Sequence, residues 1–290
     1  MEVKLAKAPI AWSNDDLPQL GGDTPLETCL SEIRQAGYVG TEMGGKFPTD
    51  KVALKKVLKE FDLELAGAWF SGNLLVVSLE DEIKKLEAFI DDKLYVGCNV
   101  IVYCECSNTI QAKQEINLSK KPILTEDEMK EYASKYNKLY EVAKQKGAIL
   151  SYHHHMGTII QSPEEIDMFL KYTNDEVGLA FDTGHVYFGG GNPLEEIKKH
   201  KNRISHVHFK DVREDEKYEA ISKDKSFIDA VLAGVYTVPG DGVIDFAPIV
   251  DVLKEINYKG WIVVEAEQDP KIANPLEYAT KAYSYITKII

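Results

Sequence analysis

The chain has 290 residues, 44% of them hydrophobic and 28% charged, with a formal net charge of −13. Such a length matches a single (β/α)8 barrel with a large core. A negative balance without any Lys/Arg cluster argues against nucleic acid as a partner, and no stretch nears the roughly 20 apolar residues of a membrane helix.

Met1 to Leu5 read as strand without an apolar leader, which gives the expectation of a cytoplasmic protein. Short apolar or β-branched runs predict strands at 4–12, 40–43, 64–70, 99–104, 148–153, 177–182, 204–210 and 261–265. Amphipathic patterns between them predict helices at 26–36, 50–61, 81–91, 126–146, 163–172, 193–200, 246–256 and 274–289. Ser162-Pro163-Glu164-Glu165 has a cap residue, a first-turn proline and early acids, while Gly37, Gly147 and Gly260 follow helix patterns where a left-handed residue is cheapest. Eight βα units without a linker predict one domain over residues 1–290, a single (β/α)8 TIM barrel of the α/β class. Two polar segments interrupt the rhythm, 107–124 after strand four and 213–239 after strand seven. The second carries a helical patch at 226–232. In a barrel both are extended loops on the face that binds substrate. Cys29, Cys98, Cys104 and Cys106 lack zinc-site or disulfide-scaffold spacing and read as reduced thiols.

The last four strands end in unusual polarity. Strand five runs into His153-His154-His155, strand six ends Asp182-Thr183-Gly184-His185, strand seven holds His206-Val207-His208-Phe209-Lys210, and strand eight ends Glu265-Ala266-Glu267. Six of the seven histidines lie in these clusters. Neighbouring parallel strands are about 4.8 Å apart, so inward side chains at their ends can meet at one point. Imidazoles and carboxylates converging without a thiol suit Mn²⁺, Co²⁺, Zn²⁺ or Mg²⁺. His153 with His155, His206 with His208, and Glu265 with Glu267 each share a strand face, so one of each pair can bind metal while the other touches substrate.

Asp-Thr-Gly-His, His-Phe-Lys-Asp and the strand-final glutamate resemble the xylose isomerase-like TIM barrels. That resemblance implies a metal held by Asp182, His208 and Glu265. A strand-five glutamate of the family is matched here by His153, with His155 as its rival. Further segments are similar to the inosose dehydratases: residues 8–16 (Ala-Pro-Ile-Ala-Trp-Ser-Asn-Asp-Asp), 41–48 (Thr-Glu-Met-Gly-Gly-Lys-Phe-Pro), 152–158 (Tyr-His-His-His-Met-Gly-Thr) and 264–270 (Val-Glu-Ala-Glu-Gln-Asp-Pro). The likeness implies metal-dependent dehydration of 2-keto-myo-inositol to a trihydroxycyclohexane-dione, with Mn²⁺ or Co²⁺. It also implies glutathione as a further cofactor, for which the sequence shows no site. A metal-dependent isomerase or epimerase of inososes or keto-sugars is the alternative.

Chemistry then assigns roles. His155 or His185 is expected as general acid, Glu265 or Glu267 near the base position, and Lys210 as a charge near the developing enediolate. The front half is expected to bind a cyclic ketopolyol through Trp12, Asn14, Asp15, Glu42, Lys46 and Trp69, with polar groups for its hydroxyls and indoles for its C–H faces. The sequence leaves room for a homo-oligomer.

Overall fold

A computed structural model describes all 290 residues. Eight parallel strands close the barrel: β1 (Glu2–Lys7), β2 (Gly40–Met43), β3 (Glu64–Gly72), β4 (Val100–Glu105), β5 (Ile149–His153), β6 (Gly178–Asp182), β7 (Ile204–Phe209) and, after the two-residue strands β8 (Asp211–Val212) and β9 (Tyr236–Thr237), β10 (Lys259–Val264). β10 pairs with both β1 and β7, so the sheet has no free edge. The outer helices are α1 (Leu26–Gln35), α2 (Lys51–Glu60), α3 (Leu79–Val96), α4 (Glu126–Gln145), α5 (Pro163–Tyr172), α6 (Thr183–Phe188), α7 (Pro193–Lys199), α8 (Glu214–Ser222), α9 (Phe227–Leu232), α10 (Ala247–Glu255) and α11 (Pro275–Ile286). Thr125 and Ser162 start α4 and α5 with reciprocal capping boxes, in which Glu128 and Glu165 reach back to the cap backbone.

The main apolar core lies between sheet and helices and includes Leu30, Leu54, Ile90, Leu139, Phe169 and Leu253. Inside the barrel the apolar filling is small, from Ala6, Ala66 and Val263 on one side and Val100, Val102 and Ala180 on another. That economy leaves the upper layers of the interior to polar side chains.

Three elements differ from the sequence pattern. The first strand stops at Lys7, because Pro9 has no N–H to continue the ladder and opens a 3-10 turn over Pro9–Ala11. A short helix, α6, follows strand six directly, capped by Asp182, whose Oδ1 accepts from the His185 N–H at 2.9 Å. The 213–239 segment holds a second helix, α8, which the apolar pattern missed because its large apolar residues Tyr218 and Ile221 face solvent. It also contributes the β8–β9 hairpin.

The segments after β4 and β7 are fastened to each other. Asn117 bridges Ser226, the Leu118 N–H donates to the Lys225 carbonyl, and Gln114 donates to Asp229 at 2.8 Å. Both lie on the barrel face reached by the ends of the strands.

Candidate active site

Strand register sets the site. Asp182 on β6 is level with His208 on β7, and His208 is level with Val263 on β10, so Glu265 follows one inward step higher. His153 on β5 is level with Ala180, which is level with His206. His153, Asp182, His208 and Glu265 therefore climb the inner wall in neighbouring steps. His153 Nε2 lies 3.2 Å from His208 Nδ1 and 3.6 Å from Asp182 Oδ2. His208 Nδ1 lies 3.7 Å from the same Asp182 oxygen and 3.5 Å from Glu265 Oε1.

This quartet fits a divalent cation on two observations. Asp182 is fully buried and spends Oδ1 on capping α6, while Oδ2 accepts no hydrogen bond and faces two imidazoles and, at 3.4 Å, the Lys210 ammonium. A buried carboxylate oxygen without a hydrogen bond calls for positive charge, which Lys210 supplies on one side and a cation between the imidazoles would supply on the other. Secondly, the surroundings of His208 favour positive charge: burial would depress it, yet Glu42, Glu265 and Asp182 together hold it well above the usual histidine range.

His208 is oriented from behind. Glu42 Oε1 accepts from His208 Nε2 at 3.1 Å and from His206 Nε2 at 2.7 Å, which turns Nδ1 of His208 toward the quartet. Glu42 lines the cavity, as the sequence reading expected of a substrate contact, while its Oε1 is committed to these imidazoles. Glu42→Gln is expected to weaken metal binding about 10–100-fold by removing that acceptor, measured by competition against a fluorescent chelator.

Above the quartet lies a cavity of about 490 Å³, within the range of small-molecule sites. Among its walls are Asp15, Asp16, Trp69, Gln111, His155, His185, Lys210 and Glu267. Lys210 is buried, pairs with Glu265 Oε2 at 2.8 Å, donates to Glu267 Oε1 at 2.9 Å and lies 3.0 Å from His185 Nε2. Against burial, Asp182, Glu265 and Glu267 hold Lys210 well above its normal range, so it stays an ammonium. Its methylenes explain the glycine of Asp-Thr-Gly-His: a Cβ at Gly184 would sit 2.7 Å from Lys210 Cγ. His155, His185 and Glu267 are near enough to offer another three-ligand group, but the Lys210 ammonium already occupies that position.

His185 Nε2 lies 3.0 Å from Lys210 Nζ, and its Nδ1 meets the Tyr236 hydroxyl at 2.8 Å and the donating Met156 N–H at 3.4 Å. His155 Nδ1 lies 2.8 Å from the Met156 carbonyl, which can only accept, so Nδ1 holds the proton and Nε2 the lone pair. Burial keeps both rings neutral, well below the usual range. Glu267 is pushed up to about 7 by burial, against the pull of Lys210. Phe227 of α9 packs on His155 with ring centres 5.2 Å apart, so the segment after β7 roofs this corner. Trp69 walls the other side, edge-on to His153 at 5.4 Å.

The structure places three expected substrate contacts elsewhere. Trp12 is buried outside the cavity and donates Nε1 to Glu32 Oε2 of α1 at 2.5 Å. Asn14 Oδ1 accepts from the N–H groups of Asp16 and Leu17, which caps a turn. Lys46 ties down the carbonyls of Gly22 and Thr24. All three hold loops in shape behind the wall. Trp12→Phe is expected to cost about 1.5 kcal/mol of stability, as for a lost hydrogen bond to a charged group, with KM unchanged; thermal unfolding and steady-state kinetics check both.

Asp15 does line the cavity, pinned by the Gly45 N–H at 2.8 Å. The sequence reading missed Asp16, Ser71 and Gln111. Asp16 accepts from Gln111 Nε2 at 3.2 Å, which joins the loop after β1 to the segment after β4. Only the position of Asp16 beside Asp15, and of Gln111 within the polar 107–124 stretch, hinted at them. His154 points the other way, its Nε2 accepting from the Asp182 N–H at 3.3 Å.

A family model described as "Xylose isomerase-like TIM barrel" matches residues 22–289. The inosose dehydratase of Geobacillus thermodenitrificans (strain NG80-2) is 48% identical, over 98% of this chain and 96% of that protein. The chain belongs to the inosose dehydratase family of xylose isomerase-like TIM barrels. A further family relative, the rhizopine catabolism protein MocC of Rhizobium meliloti, is 45% identical over 100% of this chain and 89% of its own length. Among solved structures, the IOLI protein with a bound zinc atom has the same fold, with a TM-score of 0.68 at 16% identity over 99% of both chains. No helix of the chain is long and apolar enough to cross a membrane.

Proposed function

We propose that the chain is a metal-dependent hydro-lyase that converts 2-keto-myo-inositol into a trihydroxycyclohexane-dione, acting in the cytoplasm on this small cyclic ketopolyol. The observation that carries the reading is one cavity walled by His153 and Glu265 of the cation-fitting quartet, a neutral imidazole and a fixed ammonium. The quartet of two imidazoles and two carboxylates, without thiolate, suits Mn²⁺ or Co²⁺. Held by His153, Asp182, His208 and Glu265, such an ion supplies Lewis-acid polarisation of the ketone.

The chain's own groups then divide the proton work. His155 Nε2, with its lone pair free, takes the proton from the carbon next to the ketone. The electron pair released forms the new C=C bond as the neighbouring C–O bond breaks, and Lys210 gives the departing hydroxyl its proton, so that water leaves. Glu267 and His185, both bonded to Lys210 Nζ, fix the ammonium and can return its proton. The enol so formed becomes the dione by moving one proton from oxygen to carbon. This reverses the acid role that the sequence suggested for His155, because an imidazole whose N–H is spent on a carbonyl has only a lone pair to offer. Asp15, Asp16 and Gln111 face the ring hydroxyls, and Trp69 covers a C–H face.

MocC carries another name at nearly the same identity, so the substrate needs a direct assay. Metal-loaded protein given 2-keto-myo-inositol is expected to generate the ultraviolet absorbance of a conjugated dione, and chelation to stop it. A flat spectrum with an epimerised substrate would replace the dehydratase reading with that of an epimerase.

A further inference from the structure

A second group of metal-binding residues lies on the outer wall, away from the cavity. Asp167 on α5 faces Glu196 and His200 at the end of α7. His200 comes just before β7 begins, whereas His208 and Lys210 stand at that strand's far end, so the two sites occupy opposite ends of the barrel wall. His200 Nε2 is 3.1 Å from Asp167 Oδ1 and 3.4 Å from Glu196 Oε2, and all three atoms lie within 4.8 Å of one another.

These contacts are short, but poorly aligned for hydrogen bonds. His200 and Glu196 are each only 9% exposed, and His200 Nε2 and Glu196 Oε2 are buried without a hydrogen-bond partner. The ring nitrogen is close to both oxygens but aligned with neither, as expected when its lone pair points at a place the three atoms share. A tetrahedral ion with bonds of about 2.0–2.1 Å separates adjacent ligand atoms by roughly 3.3–3.4 Å, which the N–O spacings here bracket. Glu196 and His200 are four apart in sequence, the spacing that brings two ligands onto one helical face.

The surroundings agree. Burial holds His200 below its usual range, so the ring offers a lone pair at neutral pH, and burial raises Glu196 against the pull of Lys199. Lys199 is the competing cation in contact with the carboxylates. Its Nζ binds the other oxygen of Asp167, Oδ2, at 2.5 Å and stays 3.7 Å from Glu196 Oε2, leaving Oδ1 turned toward His200. Its side chain is half exposed and free to withdraw.

We propose that Asp167, Glu196 and His200 form a second divalent-metal site, of the zinc type, that clamps α5 to α7 and takes no part in the reaction. One imidazole and two carboxylates supply three ligands, and the partly exposed Asp167 side leaves a fourth position for water. The ion joins two helices otherwise tied here by exposed Lys–Asp pairing.

The test is a calorimetric titration of metal-free full-length protein with Zn²⁺. The wild type is expected to bind two equivalents, one at each site. His200→Ala and the near-isosteric Glu196→Gln are expected to bind one, while dione formation by their manganese-loaded forms stays at the wild-type rate. One equivalent in the wild type, or two undiminished equivalents in both variants, would overturn the proposal.

Discussion

Asp182→Asn is expected to give a folded protein that has lost its reaction-centre metal and nearly all turnover. The amide oxygen can still cap α6 by accepting from the His185 N–H, so the local backbone keeps its support. What changes is the other atom. Oδ2, the oxygen that faces His153, His208 and the Lys210 ammonium, becomes an NH2 group, a donor where the site needs an acceptor for a cation. Loss of Lewis-acid stabilisation of several kcal/mol corresponds to a rate loss of about 10³-fold or more. Metal content by plasma emission and dione formation should fall together. Because Lys210 loses one of its paired carboxylates, the metal-free variant should melt somewhat lower than the wild type, but in a single cooperative transition, which separates this outcome from simple misfolding.

Lys210→Met is expected to damage both turnover and stability. Methionine fills the space of the lysine stem over Gly184 but removes the ammonium that lies within 3.4 Å of Asp182, Glu265 and Glu267. Breaking a buried charge network in this way costs about 3–5 kcal/mol. Loss of the proton donor should lower kcat by a further 10²–10⁴-fold, the usual contribution of a positioned acid. Denaturant titration and steady-state kinetics measure the two parts. Added Mn²⁺ should restore some stability, since a cation in the quartet partly balances the same carboxylates. It should not restore kcat.

The contrast between these two variants mirrors what was readable from the sequence. The eight strands and the placing of the polar groups on strands five to eight could be read from local pattern, because a parallel barrel converts a polar strand end into an inward-facing group on one rim. Alternation and strand order left His153 or His155, His206 or His208, and Glu265 or Glu267 open, and the likeness to the xylose isomerase-like barrels chose His153, His208 and Glu265, with Asp182, among them. Glu42 could not be understood that way: its partners His206 and His208 are more than 160 residues away, and only closure of the barrel brings β2 opposite β7. Similarly, Trp12 reads as a carbohydrate-facing indole until Pro9 ends β1 early and turns the chain outward onto Glu32. Lys46 looks like a free cation in sequence, yet it serves three carbonyls on a neighbouring loop.

The roles of the histidines were hidden for a different reason. Sequence places imidazoles but not their protons, and a proton's position depends on which acceptor each ring nitrogen meets. The Met156 carbonyl fixes His155 as a lone-pair bearer, and His185 is held between Lys210 on Nε2 and Tyr236 and the Met156 N–H on Nδ1. Those contacts come from loop geometry after β5 and from the β8–β9 hairpin, neither of which has a periodic signature.

The most direct test is anomalous diffraction at the manganese edge from crystals soaked in Mn²⁺. The account predicts one strong peak in the barrel interior, within bonding distance of His153 Nε2, Asp182 Oδ2, His208 Nδ1 and Glu265. A barrel interior without a peak, or a peak that leaves Asp182 unligated, would contradict it.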